Sequence, residues 1–172
     1  MPASSPGPEH VAVVLIGHGA PATDCPPQLI GELMGLEWRP DHAAPRQRLE
    51  ELDAKIRTWP RRPDNDPYKA GLERLADAMR PLVPAGLFAV GYNEFCSPSV
   101  SEAVEQVIRQ GAERVLVIPS MLTPGGVHAE RDIPRELEAV RRRHPRIRVD
   151  YLWPFDLARV AELFAAHIAA AL

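Results

Sequence analysis

The chain has 172 residues, 45% of them apolar and 25% charged, and 20 basic against 23 acidic side chains give a formal charge of −3 with histidine neutral. That composition excludes a mostly disordered chain and offers no basic face to nucleic acid, and the length suits one domain. Cys25 and Cys96, with no CxxC spacing, exclude a disulfide framework and a recognisable thiolate metal site. The N-terminus lacks a basic leader, and the first apolar run is far short of the ~18 residues that span a bilayer. These features predict a soluble, cytoplasmic protein without a membrane partner.

Residues 1–10, with Pro2, Pro6, Gly7 and Pro8, predict a disordered tail before a single domain over 11–172. VAVVLI (11–16) is a continuous, β-branched run of the kind buried on both faces of a parallel sheet. LFAVGY (87–92), RVLVIP (114–119) and IRVDYLW (147–153) are three more candidate strands. Helices are predicted over 67–79, 99–110 and 132–144, and from about Phe155 or Asp156 to the C-terminus. The last carries Leu157, Val160, Ala161, Phe164 and Ile168 on one face. Strand and helix alternate, which predicts an α/β fold: a four-stranded parallel sheet in flavodoxin-like order 2-1-3-4, with helices on both faces. Between the first two strands lies far more chain than one crossover helix of ~10–15 residues needs. The excess, residues 20–66, forms a helical insert with amphipathic pieces at 28–36 and 46–59. It is either a surface elaboration or a lid beside the carboxyl edge of the sheet.

Open α/β sheets bind ligands beyond the carboxyl ends of their strands. The residues falling there are Gly17-His18-Gly19, then Asn93-Glu94-Phe95-Cys96-Ser97-Pro98, then the stretch 120–134 with Gly125, Gly126 and His128. Two histidines and a carboxylate therefore meet on one rim. Gly17-x-Gly19-x-x-Ala22 formally matches a dinucleotide fingerprint, but Pro21 and the insert replace the helix such a site needs. A histidine phosphatase would carry an arginine where Gly17 stands. The remaining reading takes His18 and His128 as metal ligands or proton acceptors, with Glu94 as a proton relay. Cys96 is expected to be a small buried hydrophobe, and His10, His42, His144 and His167 to be structural.

GHG at 17–19, Glu94 followed by PSV (98–100), and IPSMLTPGGVHAERDIP (118–134) resemble the class II tetrapyrrole chelatases. The similarity is greatest to their small sirohydrochlorin cobaltochelatase and ferrochelatase branch and covers 11–19 and about 67–165. It implies ATP-independent insertion of a divalent metal into a tetrapyrrole. His18 and His128 match the family's metal-binding, catalytic histidines, and Glu94 matches its acidic residue. Cobalt, iron or nickel would be a substrate, and no cofactor would be permanently bound. Gly19, Ser97, Gly125, Gly126, Arg131 and Arg135 are the expected substrate-binding set. The arginines either pair with substrate carboxylates or are ordinary surface groups. The insert's Gly19-Ala20-Pro21 opening and NDPY turn (65–68) loosely resemble protoheme-type ferrochelatases. Larger members hold two copies of the domain, whereas here each motif occurs once, so the second wall around a macrocycle is expected from the insert or from the other subunit of a homodimer. Leu29, Leu33, Met34, Leu36 and Trp38 supply the insert's apolar surface. A non-catalytic tetrapyrrole or metal carrier, and a histidine acid/base hydrolase, are the alternatives.

Overall fold

The computed structural model describes residues 7–37 and 45–172. Four parallel strands, β1 (Val11–Gly17), β2 (Leu87–Tyr92), β3 (Arg114–Pro119) and β4 (Arg148–Tyr151), form one sheet in the order β2-β1-β3-β4. That is the predicted order, and β1 is central because its run is apolar without interruption. From Ala12 to Gly17 every residue of it is buried, with Val14 paired to Ala89 on one side and Val117 on the other. β4 is shorter than the predicted 147–153, since Trp153 and Pro154 already lead away from the edge.

Two helices, α4 (Val100–Arg109) and α5 (Ile133–Arg143), cover one face. Their Val100, Val104, Val107, Leu137 and Val140 close over Ala12, Val14, Val115, Val117 and Val149 to form the main core. α4 starts at a capping box: Glu102 N–H donates to Ser99 Oγ, and the Glu102 carboxylate accepts from Ser99 N–H at 2.7 Å. On the opposite face α3 (Pro67–Met79) lays Leu72 and Ala76 against Leu15, Tyr92 and Cys96.

The insert folds as α1 (Pro27–Glu37) and α2 (Arg46–Arg57), joined through residues outside the described range. Trp38 and His42 fall there. Ala22, Cys25, Leu33, Leu52 and Ile56 make the insert's own small core, closed by Phe95 from the main domain. Arg48 ties the helices together through a two-pronged bond to Glu32 at 2.7 and 2.9 Å.

Helices lie on both faces, as predicted, but they cover β3 and β4 unequally: Val115, Val117 and Val149 are enclosed, whereas Leu116, Ile118 and Asp150 are partly exposed. The cause is α6 (Leu157–Ala169), which none of the described elements encloses. Its stripe stays open to solvent, with Leu157 53%, Phe164 51% and Ile168 60% exposed. Among the described residues, no helix is long and apolar enough to cross a membrane.

Candidate metal centre at the carboxyl rim of the sheet

His18 follows β1, Glu94 follows β2, and His128 ends the loop after β3, so three parallel neighbours deliver three side chains to one point. One ligand atom from each lies within 4.8 Å of the other two. The imidazole rings meet edge to face, with centroids 4.7 Å apart. Glu94 spans them, one oxygen 3.9 Å from His18 Nε2 and the other 3.7 Å from His128 Nε2. Among the described residues this is the one such group of histidine and carboxylate ligands.

The protons on the two rings follow from their partners. His18 Nδ1 lies 2.8 Å from the Gly19 carbonyl, which can only accept, so Nδ1 carries the hydrogen and Nε2 keeps its lone pair. His128 Nδ1 lies 2.8 Å from Asp132 Oδ2, which imposes the same tautomer. The Asn93 amide is also 2.8 Å from His128 Nδ1, and its Oδ1 is buried without a partner. With Nδ1 protonated, an amide turned end for end puts Oδ1 toward that hydrogen and removes a clash of donors. Both free Nε2 atoms then face Glu94, and Asp132 braces His128 as carboxylates commonly brace metal-binding histidines.

Local folding explains this placement. Glu94 N–H donates to His18 O at 2.8 Å and Asn93 N–H to Gly17 O at 2.9 Å, which zips the two rim loops together. Gly19 permits the approach: its φ is +92°, and a Cβ there would sit 1.9 Å from Glu94 O. Its role in the structure is therefore close packing. His128 opens a π-helical turn, His128–Asp132, where Ile133 N–H reaches back to His128 O. Such turns recur at functional sites, and this one sets Asp132 beside the ring four residues earlier. Gly125 (φ +94°) donates to Glu130 Oε1 at 2.6 Å, and with Gly126 it shapes the exposed loop before His128. Tyr68 in the first turn of α3 accepts His18 N–H at 2.7 Å.

A groove of about 650 Å³ runs from Glu94 between insert and sheet rim, walled by Leu33, Leu49 and Phe95 and bordered by Arg131 and Arg135. The insert thus stands beside the predicted site, and both predicted arginines face the groove. Ser97 does not join them; it lines a separate groove with Ser99, Glu102 and Glu136. Cys96 is fully buried, its thiol 3.3 Å from Asp66 Oδ2, and burial raises its pKa, which suits a structural thiol. Sequence reading gave no role to Tyr68, Asn93 or Asp132. It placed Asn93 at the rim beside Glu94, and Asp132 left a further signal, four residues after His128 and so on the same helical face.

A family model described as CbiX matches residues 64–171. The chain belongs to the CbiX family. It is 34% identical over 80 residues to the sirohydrochlorin ferrochelatase of Priestia megaterium, a match covering 46% of this chain and 30% of that protein. It is 37% identical over 79 residues to the sirohydrochlorin cobaltochelatase of Methanocaldococcus jannaschii, covering 45% of this chain and 54% of the relative. These matches span about half or less of the relatives' length. The fold is shared with the sirohydrochlorin chelatase SirB of Bacillus subtilis subspecies spizizenii in complex with cobalt: TM-score 0.54, 19% identity, 84% of this chain and 43% of that one. It is shared also with a putative cobalamin biosynthesis CbiX protein of Marinobacter aquaeolei VT8: TM-score 0.57, 16% identity, 94% and 96% covered.

Proposed function

We propose that this protein is a lyase-type metal chelatase that inserts cobalt or ferrous iron into a tetrapyrrole such as sirohydrochlorin, without ATP. The observation that carries the reading is the convergence of His18 Nε2, His128 Nε2 and Glu94 on one half-exposed point at the mouth of a groove. Two imidazoles and a carboxylate suit mid-row divalent metals, and the rim leaves other coordination positions open for the macrocycle. The names of the relatives support the substrate class.

Insertion must strip water from the cation and remove two pyrrole protons. His18 and His128 hold the incoming metal through Nε2 and give it up to the ring, leaving imidazole nitrogens free to take protons. Asp132 stabilises the positive ring of His128, as a carboxylate on the far nitrogen does. Glu94, between the rings, balances the metal's charge and passes protons outward. Arg131 and Arg135 pair with carboxylates on the macrocycle edge, Gly125 and Gly126 admit its face, and Leu33 and Leu49 press on it from the insert. The working unit is one domain over 11–172 with its insert at 20–66, acting in a reducing cytoplasm where Cys25 and Cys96 remain thiols.

The protein works as a homodimer. α6 exposes an apolar stripe, and the sheet face beyond α3 carries a groove of about 400 Å³ lined by Tyr68, Leu72, Leu75 and Ser120. Monomers rarely leave so much contiguous apolar surface open. Seating each α6 in the other copy's groove is a closed two-fold exchange, the commonest symmetry of soluble homo-oligomers.

Absorbance spectra of the purified protein with cobalt and sirohydrochlorin test the activity. A rate well above the spontaneous reaction is expected. Pigment binding without acceleration would mark a carrier instead and sink the enzyme.

A further inference from the structure

We infer that Arg57 and Arg61, contributed by the insert, are positioning residues that hold the Glu94 loop in its working shape. The inference rests on Glu94 acting with the two histidines as proposed above, and it gives the insert a second task besides walling the groove.

Arg57 ends α2 with its Nε on Asp53 at 2.7 Å, which aims the guanidinium across to the rim. Its Nη1 donates to Cys96 O at 2.9 Å and its Nη2 to Asn93 O at 2.8 Å. Arg61 reaches the same loop at another carbonyl. Its Nη2 donates to Phe95 O at 2.5 Å, while its Nη1 is anchored by Asp66 Oδ2 at 2.6 Å and Ala20 O at 2.7 Å. Glu94 O accepts Cys96 N–H at 2.6 Å. Every carbonyl from 93 to 96 is thus engaged, three of the four by the two guanidiniums.

The loop needs this brace. Phe95 has φ 59°, a left-handed backbone that a bulky side chain takes only under constraint. Its half-buried ring packs against the insert's core. Without the guanidiniums, three inward carbonyls lose their partners and Phe95 is free to return to an ordinary φ. Its neighbour Glu94 would then swing off the point between His18 and His128. Arg61 and Asp66 are themselves enclosed, with side chains 9% and 1% exposed, so the anchor is rigid. Neither arginine reaches the metal point; each acts through the loop.

A double-mutant cycle on the full-length protein tests this, read by Co²⁺ titration in the visible spectrum with the metal alone as probe. Arg57→Met should weaken Co²⁺ binding about tenfold, as losing an outer support of a metal ligand does. In a Glu94→Ala background the same change should add less than twofold, because the group it positions is already gone. Arg61→Met should behave alike. Arg57→Lys, which cannot bridge two carbonyls, should recover only part of the loss and serves as the readable variant if Arg57→Met does not fold. Arg48→Met loosens α1 from α2 without touching the loop and should leave Co²⁺ affinity unchanged. Wild-type affinity in both arginine variants, a full tenfold loss of Arg57→Met persisting beside Glu94→Ala, or an equal loss in Arg48→Met would each overturn the proposal. Because the readout is metal binding, absence of chelatase turnover would defeat the functional reading and leave this cycle interpretable.

Discussion

Two imidazole nitrogens are available to a cation only because the other nitrogen of each ring is occupied, by the Gly19 carbonyl at His18 and by Asp132 at His128. The candidate ligands and their supports should therefore differ in effect. His18→Ala and His128→Ala are expected to remove most insertion activity with the fold intact by circular dichroism; near-full turnover at saturating metal would exclude that residue. Asp132→Ala should weaken Co²⁺ affinity by about 10–100-fold and stop short of abolishing it, the usual cost of losing such a support. Activity should fall on acidification, since a protonated imidazole has no lone pair to offer. A flat profile from about pH 8 to about pH 5 would exclude histidine from the centre. His18, Glu94 and His128 were legible in the sequence because each follows a recognisable strand, and strand ends converge in this fold class. Arg57, Arg61 and Tyr68 were not. Their contacts join segments far apart in the chain, and nothing in helical or strand periodicity marks an arginine whose partners are backbone carbonyls.

At the level of elements, the strands carry more of the stability than the caps, but the caps are easier to test. Ser99→Ala removes the side-chain half of the α4 capping box and should cost about 1 kcal/mol in urea unfolding, with the slope unchanged. At the sheet edge burial pushes the Asp150 carboxyl up, yet hydrogen bonds from Arg148 and Arg114 outweigh it and hold the group below its ordinary value. A carboxyl lowered in the folded state adds stability above its unfolded pKa of roughly 3.9, and that stability is lost as pH falls through the folded value. Asp150→Asn should therefore flatten the acid limb of stability below about pH 4 and leave the sensitivity to acid from other carboxylates in place. The parallel sheet was legible from the alternation of buried runs with helical stripes, and its order followed only from assuming the simplest doubly wound layer with right-handed crossovers. The alternating burial of β3 was not visible in its run, because a continuous apolar stretch does not say which of its faces a helix covers. The insert's helices were found by their spacing; that Phe95 from the main domain completes their core was not visible, since it requires knowing which loop faces them.

For the molecule as a whole, the proposed dimer draws on two open surfaces of one chain, the groove beside α3 and the exposed stripe of α6. α6 leaves the edge strand β4 through Trp153 and Phe155, whose rings stack edge to face at 5.5 Å, and Asp156 caps it by accepting Ala158 N–H at 2.9 Å. None of the described elements encloses the helix, and the groove beside α3 is open as well. Tyr68 lines that groove and also accepts His18 N–H, so a partner helix seated there lies one side chain from the metal point. Assembly and activity should then be linked. Light scattering should give twice the chain mass for the native protein, and Phe164→Glu should yield monomers, with the association weakened by at least about 30-fold, the ~2 kcal/mol of an interface hot spot. Leu82→Ser alters an exposed apolar side chain elsewhere and should stay dimeric. The Phe164→Glu monomer should bind Co²⁺ with little change, since all three candidate ligands come from one chain, but hold the macrocycle more weakly if the partner supplies the proposed second wall. A native protein that is monomeric at micromolar concentration and fully active would show that each copy closes its own site, and the exchange of α6 would have to be abandoned.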